Sequence, residues 1–449
     1  MMGLRVLALA GVLMLDGLSA QAHTVAIIHA KAWTLTDPTP VENATVLMTD
    51  GKITSVSSGG AAPEGARVFD AHGHPLTPGL VHPATHLGLV EVSLASDTVD
   101  TSTKSTSLGA DFDIQYGINA NSALVELARA DGLTRAISYP GRSGVPPFSG
   151  TGALLRLGES GDIVERPGVG VFVVIGNHFA EAGASRAAQW ELLRHALDDA
   201  RKALALTGAA KAPTAATAAG TASVAARPAA TAGTSASTAP SAGVLALEPV
   251  LTGKVLLAIT THRESDIRQA IRLAKDYSIH VVIIGATEAW RVAGELAAAK
   301  IPVIIDPQAN LPSNFDELGA RLDNAELLHK AGVTVATAVL SSIHQSYNAG
   351  ESLREGAGLA VANGLPYIDA LRSITAVPAE IWGLGAHCGT LATGYDADVV
   401  VWDGDPLEPS SAPVAVWVAG KQVSLQTRQT ELRDRYMKKD GLTAVSRQP

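Results

Sequence analysis

The sequence predicts an α/β protein: a (β/α)8 TIM-like barrel with a small composite β-sandwich domain built from both chain ends. Two patterns carry this. Residues 255–339 alternate apolar runs with amphipathic stretches, and the runs do not alternate with polar residues, as expected of strands buried on both faces of a parallel sheet. Both ends of the chain are rich in short strand patterns that are too few to stand alone, so they are expected to pair with each other.

The elements follow in order. Residues 24–68 read as short strands: Val25-Ala26-Ile27-Ile28, Ala44-Thr45-Val46-Leu47-Met48, then Lys52-Ile53-Thr54-Ser55-Val56 after the hairpin dipeptide Asp50-Gly51. Residues 255–261 are a strand, and 264–275 a helix with Ile267 and Ile271 on one face. Residues 280–285 form a strand. Thr287 is placed as the cap of a helix running to Ala299, and 301–305 form a strand closed by Asp306-Pro307. Residues 315–330 read as a helix ended by Gly332, and 333–339 as a strand. An earlier half, from 76 to about 203, completes the barrel. Near the C-terminus, Asp398-Val399-Val400-Val401-Trp402 and Val414-Ala415-Val416-Trp417-Val418 are strands, and Ala419-Gly420 is a turn.

The chain has 449 residues, 47% of them apolar, with a formal net charge of -9. It is long enough for a barrel and a small second domain. The absence of a basic cluster excludes nucleic acid as the expected partner. Residues 1–22 read as a signal peptide: Arg5, an apolar run at 6–15, and the cleavage pattern Ala20-Gln21-Ala22. The expected location is therefore exported, periplasmic. No apolar run reaches the length of a membrane span. Cys388 is the only cysteine, which excludes a disulfide framework; it is expected as a buried small hydrophobe.

The expected domains are 23–74 as the N-terminal part of the sandwich, 75–385 as the barrel and 386–425 as the C-terminal part of the sandwich. Residues 206–243 are almost wholly Ala, Thr, Ser, Pro and Gly and read as a disordered insertion. Residues 426–449 form a charged tail, with Leu432, Tyr436 and Met437 able to pack one side of a short helix on the body.

Several motifs have a family likeness. Leu76-Thr77-Pro78-Gly79-Leu80-Val81-His82-Pro83-Ala84-Thr85-His86 resembles the first barrel strand of the amidohydrolase superfamily. Gly389-Thr390-Leu391-Ala392-Thr393-Gly394-Tyr395-Asp396-Ala397-Asp398 and the strand after it resemble that family's Gly-x-Leu-x-x-Gly-x-x-Ala-Asp pattern. Residues 374–384 are similar to its last barrel helix. Thr261-His262-Arg263-Glu264 is similar to a stretch of the imidazolonepropionase-like branch. The resemblance spans almost the whole mature chain. It implies a barrel with a composite β-domain and metal-dependent hydrolysis of C–N bonds, with metal ligands at the C-terminal ends of barrel strands.

Aligned on that pattern, the expected ligand positions carry Ala84, Thr260, Gly285 and Leu340. None is an imidazole or a carboxylate, and zinc wants three or four such donors. Two imidazoles remain, His82 and His86, four residues apart and of one facing parity. They are either a two-ligand metal remnant or a hydrogen-bonded polar pair. His262, Glu288 and His344 are candidates for the substrate side. His262 reads alternatively as a helix N-terminal histidine, and Glu288 as a charge placed for a helix dipole. Phe148-Ser149-Gly150-Thr151-Gly152 is Gly-rich but lacks the lysine of a phosphate loop, and reads as a surface turn.

Two functional readings follow. In one the standard dinuclear site is lost and the chain is a non-catalytic partner or binding subunit, a pseudoenzyme candidate. Its partner would be an intact amidohydrolase paralogue or a second copy of itself, and it would take a small-molecule ligand. In the other it is an active hydrolase of carbon–nitrogen bonds other than peptide bonds, with an altered site around a single divalent metal, zinc. The cofactor expectation is accordingly none or one such ion.

Overall fold

The computed structural model describes residues 24–159, 161–176, 185–210, 241–340 and 347–439. The stretch read as a signal peptide, most of the Ala/Thr-rich segment and His344 lie outside the described residues.

Five strands open the chain: β1 (Thr24–Ala32), β2 (Val41–Thr49), β3 (Lys52–Ser58), β4 (Arg67–Asp70) and β5 (Pro75–Pro78). Three strands close it: β14 (Val399–Trp402), β15 (Pro413–Val418) and β16 (Lys421–Gln422). As expected from the two β-rich ends, they form one sheet in the order β16-β15-β14-β5-β1-β2-β3, with β4 on β1. The two ends meet where β5 lies antiparallel to β14, with Thr77 opposite Val400. Asp50 and Gly51 both take positive φ, as the tight turn between β2 and β3 requires. The sheet has its own apolar core, including Ile27, Val46, Leu76, Val401 and Trp417. Pro75–Pro78 thus belongs to this sheet, and the barrel begins at Leu80.

Eight strands form the barrel: β6 (Leu80–Thr85), β7 (Leu133–Ser138), β8 (Phe148–Arg156), β9 (Val164–Val174), β10 (Leu256–Thr261), β11 (Val281–Gly285), β12 (Val303–Ile305) and β13 (Val335–Thr337). They neighbour one another in chain order, giving a nearly closed sheet. At its seam the Val81 amide donates to the carbonyl of Ile374 at 2.9 Å. One strand departs from the all-parallel expectation. β8 runs antiparallel to both β7 and β9, joined to them by hairpin loops rather than helical crossovers.

Some local readings are corrected. Residues 148–152 are not a surface turn but the start of β8. Thr287 caps no helix: its hydroxyl bonds His262, and the helical turn begins at Ala289. Residues 315–330 are not one helix; a single turn, Phe315–Glu317, and the helix Asn324–Lys330 are separated by loop. The helix Arg186–Ala210 runs on into the stretch assigned to the insertion. The tail forms the helix Arg428–Lys439, but Leu432 and Tyr436 are exposed rather than packed on the body. Cys388 is buried, as expected, and burial pushes its thiol up to about 12, which favours the thiol over the thiolate.

A buried ion-pair cluster fastens the barrel to the other sheet. Arg135 of β7, 1% exposed, donates to Asp398, to Asp396 and, at 2.9 Å, to Glu165. Asp398 is the acid of the Ala-Asp motif; it also accepts the Ala419 amide at 2.7 Å. Asp396 takes Lys52 and Arg156 as well.

Candidate functional site at the barrel mouth

Strand parity decides what faces the barrel interior. At the end of β6, Ala84 belongs to the interior core and His86, just after the strand, meets Tyr139 of that core, while a register shift between His82 and Thr85 interrupts the alternation; on β12 the inward positions are Ile304 and then Asp306, since Val303 and Ile305 pack on the outer helices. The interior is mostly apolar. Ala84, Ala258, Ile284, Ile304 and Ala338 belong to one core with Tyr139, Phe172 and Trp382.

Aromatic rings form a column through this interior. His86 lies 4.6 Å from Tyr139 between ring centres, Tyr139 lies 5.1 Å from Phe172, and Phe172 lies 5.6 Å from Trp382. Trp382 Nε1 donates to the Pro83 carbonyl at 3.0 Å, holding the column to β6. Gly152 is needed beside it: a Cβ there would stand 2.5 Å from Phe172. The glycine-rich run of β8 therefore makes room for rings.

His82 lies in β6, and His86, just after it, heads the column. His82 is fully buried; its Nδ1 accepts the Ala84 amide at 3.3 Å, and its Nε2 has no hydrogen-bond partner. His86 Nδ1 meets the Tyr139 carbonyl at 2.7 Å, which makes Nδ1 the donor and leaves Nε2 as a lone pair. Burial lowers both, to about 3 for His82, with the neighbouring His86 adding to the effect, and to about 4 for His86. Both are neutral imidazoles at ordinary pH.

His262 follows β10. Its Nδ1 lies 2.8 Å from the Thr287 hydroxyl, and burial lowers its pKa, against the nearby Glu317 and Asp316 carboxylates. Its ring covers Gly285, where φ is +89°. Glu288 meets a helix end: its Oε2 accepts the amide of Glu264, the first residue of the helix Glu264–Tyr277, at 2.9 Å. Leu340 packs against the interior core, and its amide donates to Asp306 Oδ2 at 2.9 Å.

Asp306 was missed in the sequence, where it served only to end a strand. Its inward parity with Ile304 was the available signal. Its Oδ1 accepts the Gln308 amide at 2.9 Å, so both oxygens hold backbone. Asp316 was missed as well; it is buried, pairs with Arg186, and belongs to the loop after β12 that covers one side of the mouth. A cleft of about 420 Å³ lies under that loop, lined by Thr260, His262, Asn314, Asp316 and Glu317 over Val174 and Ile175.

The amidohydrolase family model matches residues 191–425. This chain belongs to the amidohydrolase family. Over 57 residues it is 53% identical to the amidohydrolase tasK of Hapsidospora irregularis, a match that covers 13% of this chain and only 6% of that protein. Among solved structures, an amidohydrolase from Thermotoga maritima MSB8 superposes on 89% of this chain and 99% of its own, with a TM-score of 0.76 and 23% identity. Molinate hydrolase covers 90% of this chain and 95% of its own, with a TM-score of 0.52 and 18% identity. These structures share the fold.

Members of the family commonly hold one or two divalent metals at the barrel mouth. In this amidohydrolase chain the donors near the upper strand ends, among the described residues, include His82, His86, His262 and Asp306. Among the described residues no three His, Cys, Asp or Glu side chains lie close enough together to share a metal ion.

Proposed function

We propose that this chain is an exported, non-catalytic member of the amidohydrolase family. It binds a small polar ligand in the cleft beside His262 and works as a subunit beside an intact amidohydrolase paralogue or a second copy of itself. The donor set carries this reading. Among the described residues no three donor side chains gather, against the three or four protein ligands zinc takes, and Ala84, Thr260, Gly285 and Leu340 offer no imidazole or carboxylate. The residues present do not fit the family's dinuclear centre. The carboxylate nearest the expected position, Asp306, is engaged by two backbone amides.

The rim of the mouth supports a partner. On the loop after β12, Leu311, Phe315 and Leu318 are 78%, 79% and 65% exposed, an apolar set that a lone soluble surface would ordinarily cover. Among the described residues no helix is long and apolar enough to cross a membrane.

A second reading keeps one metal. The unpartnered Nε2 of His82, and the Tyr139 carbonyl that turns His86 Nε2 outward, are features that metal-binding histidines share. Zinc titration by calorimetry, on the native chain and on the His82→Ala/His86→Ala double variant, separates the two. The first reading expects no stoichiometric binding by either protein. One zinc per native chain, lost in the double variant and accompanied by hydrolysis of an N-acyl or cyclic amide, would overturn it.

A further inference from the structure

At the end of the barrel opposite the mouth, two depressions of about 330 and 450 Å³ share Leu256 and His280 and so form one groove. It runs across the starts of β9, β10, β11 and β12. Its floor is apolar, with Leu256, Ile279 and Ile301 among its residues. Its rim carries Arg166, Lys254, Lys275 and Lys300, all exposed.

The charge here is opposite to that of the whole. Acids outnumber Lys and Arg by 43 to 34 over the full sequence, yet along the groove four cations face one carboxylate, Glu380. Glu380 is itself 3.3 Å from Arg372. Arg166 donates to the Trp382 carbonyl, not to an acid, and none of the ion pairs among the described residues takes up Lys254, Lys275 or Lys300. Helix C-termini point to this end of the barrel, and Lys275 lies in the last turn of the helix Glu264–Tyr277. A helix end offsets only about half a charge. It does not account for Arg166, which belongs to β9.

We propose that this groove docks an extended acidic segment of a partner protein. Its carboxylates meet the cationic rim, and its apolar side chains lie on Leu256, Ile279 and Ile301. Charge complementarity selects the sign of the partner. The recessed apolar floor favours a peptide over a bilayer, because a plane of headgroups cannot enter a concave groove. Cations spread along two joined depressions fit a chain better than one small anion. The inference does not depend on how the barrel mouth is read.

The test is fluorescence anisotropy with a labelled peptide of about ten residues alternating Glu and Leu, long enough at ~3.3 Å per residue to follow the groove. The full-length protein should bind it, and binding should weaken as salt rises. The triple variant Lys254→Glu/Lys275→Glu/Lys300→Glu should bind at least about tenfold more weakly while melting at the native temperature. A Glu/Ser peptide should bind the native protein several-fold less well. If the triple variant does not fold, the Lys254→Ala/Lys300→Ala pair should show a smaller loss in the same direction. Absence of peptide binding, equal binding by the charge-altered variant, or binding to phosphatidylglycerol vesicles in place of the peptide would each overturn the proposal.

Discussion

The imidazole of His262 fills the space that a side chain at Gly285 would need. A Cβ at position 285 would stand 2.6 Å from His262 Cε1 and 3.0 Å from Nε2. Two neighbouring strand ends thus pack together, the ring of one lying where a side chain of the other would stand.

Gly285→Ala should therefore destabilise the protein by about 1–3 kcal/mol, from the clash and the positive φ together. Adding His262→Ala removes the clash but not the backbone strain, so the double variant should recover part of the loss. A double-mutant cycle by chemical denaturation reads this directly. No interaction energy between the two sites would show that the ring is not what excludes a side chain there.

His82 should make stability fall with acid. Its folded pKa, about 3, lies below the ordinary value of 6.5. Above pH 6.5 it is neutral in both states and contributes nothing to pH dependence. As pH falls below 6.5 the unfolded chain takes up the proton and the folded chain does not, so stability is lost, by about 3 kcal/mol at pH 4. Asp398, raised to about 6 by burial, acts with the opposite sign and gains stability as pH falls through 6. The measurement is thus a difference: the native chain minus His82→Gln, by denaturant titration from pH 7 to 4. Parallel curves would contradict the burial argument.

Breaking the cluster between barrel and sheet should be costly from one side. Arg135→Met leaves Asp398, 4% exposed, with no cation and should cost about 3–5 kcal/mol. Asp398→Asn added to it should lessen that cost, since no buried charge then remains unpaired. Equilibrium unfolding of the two variants decides the matter; equal losses would mean that the charge pair is not the source.

Phe172 occupies the middle of the aromatic column and is 1% exposed. Phe172→Ala should lower stability by about 3–5 kcal/mol and leave a cavity between Tyr139 and Trp382. Trp382 fluorescence should report greater solvent access alongside a lower melting temperature. An unchanged melting temperature would mean that the barrel interior collapses around the gap.

The local signals in the sequence were strong where one segment contained its own reason. Asp50-Gly51 specified its hairpin, the β-rich ends paired, and the continuous apolar runs of β10, β11 and β12 became barrel strands. The Ala397-Asp398 motif marked the join to β5, though only the fold supplied Arg135 as the partner of its acid. The glycines of β8 were misread because their cause lies elsewhere in the chain: Gly152 accommodates Phe172, and Gly150 accommodates Phe112.

At the mouth, the sequence by itself determined which donors are present, because a residue type fixes whether a lone pair exists at all. Aligned on the family pattern, it reads Ala84, Thr260, Gly285 and Leu340 at the expected ligand positions, beside His82 and His86. Only the tertiary structure decided what each group touches. It turned Glu288 to a helix end, bound both oxygens of Asp306 to backbone amides, and laid His262 over Gly285. Those contacts join strands and loops far apart in sequence, and their geometry follows from barrel closure, which no single segment encodes.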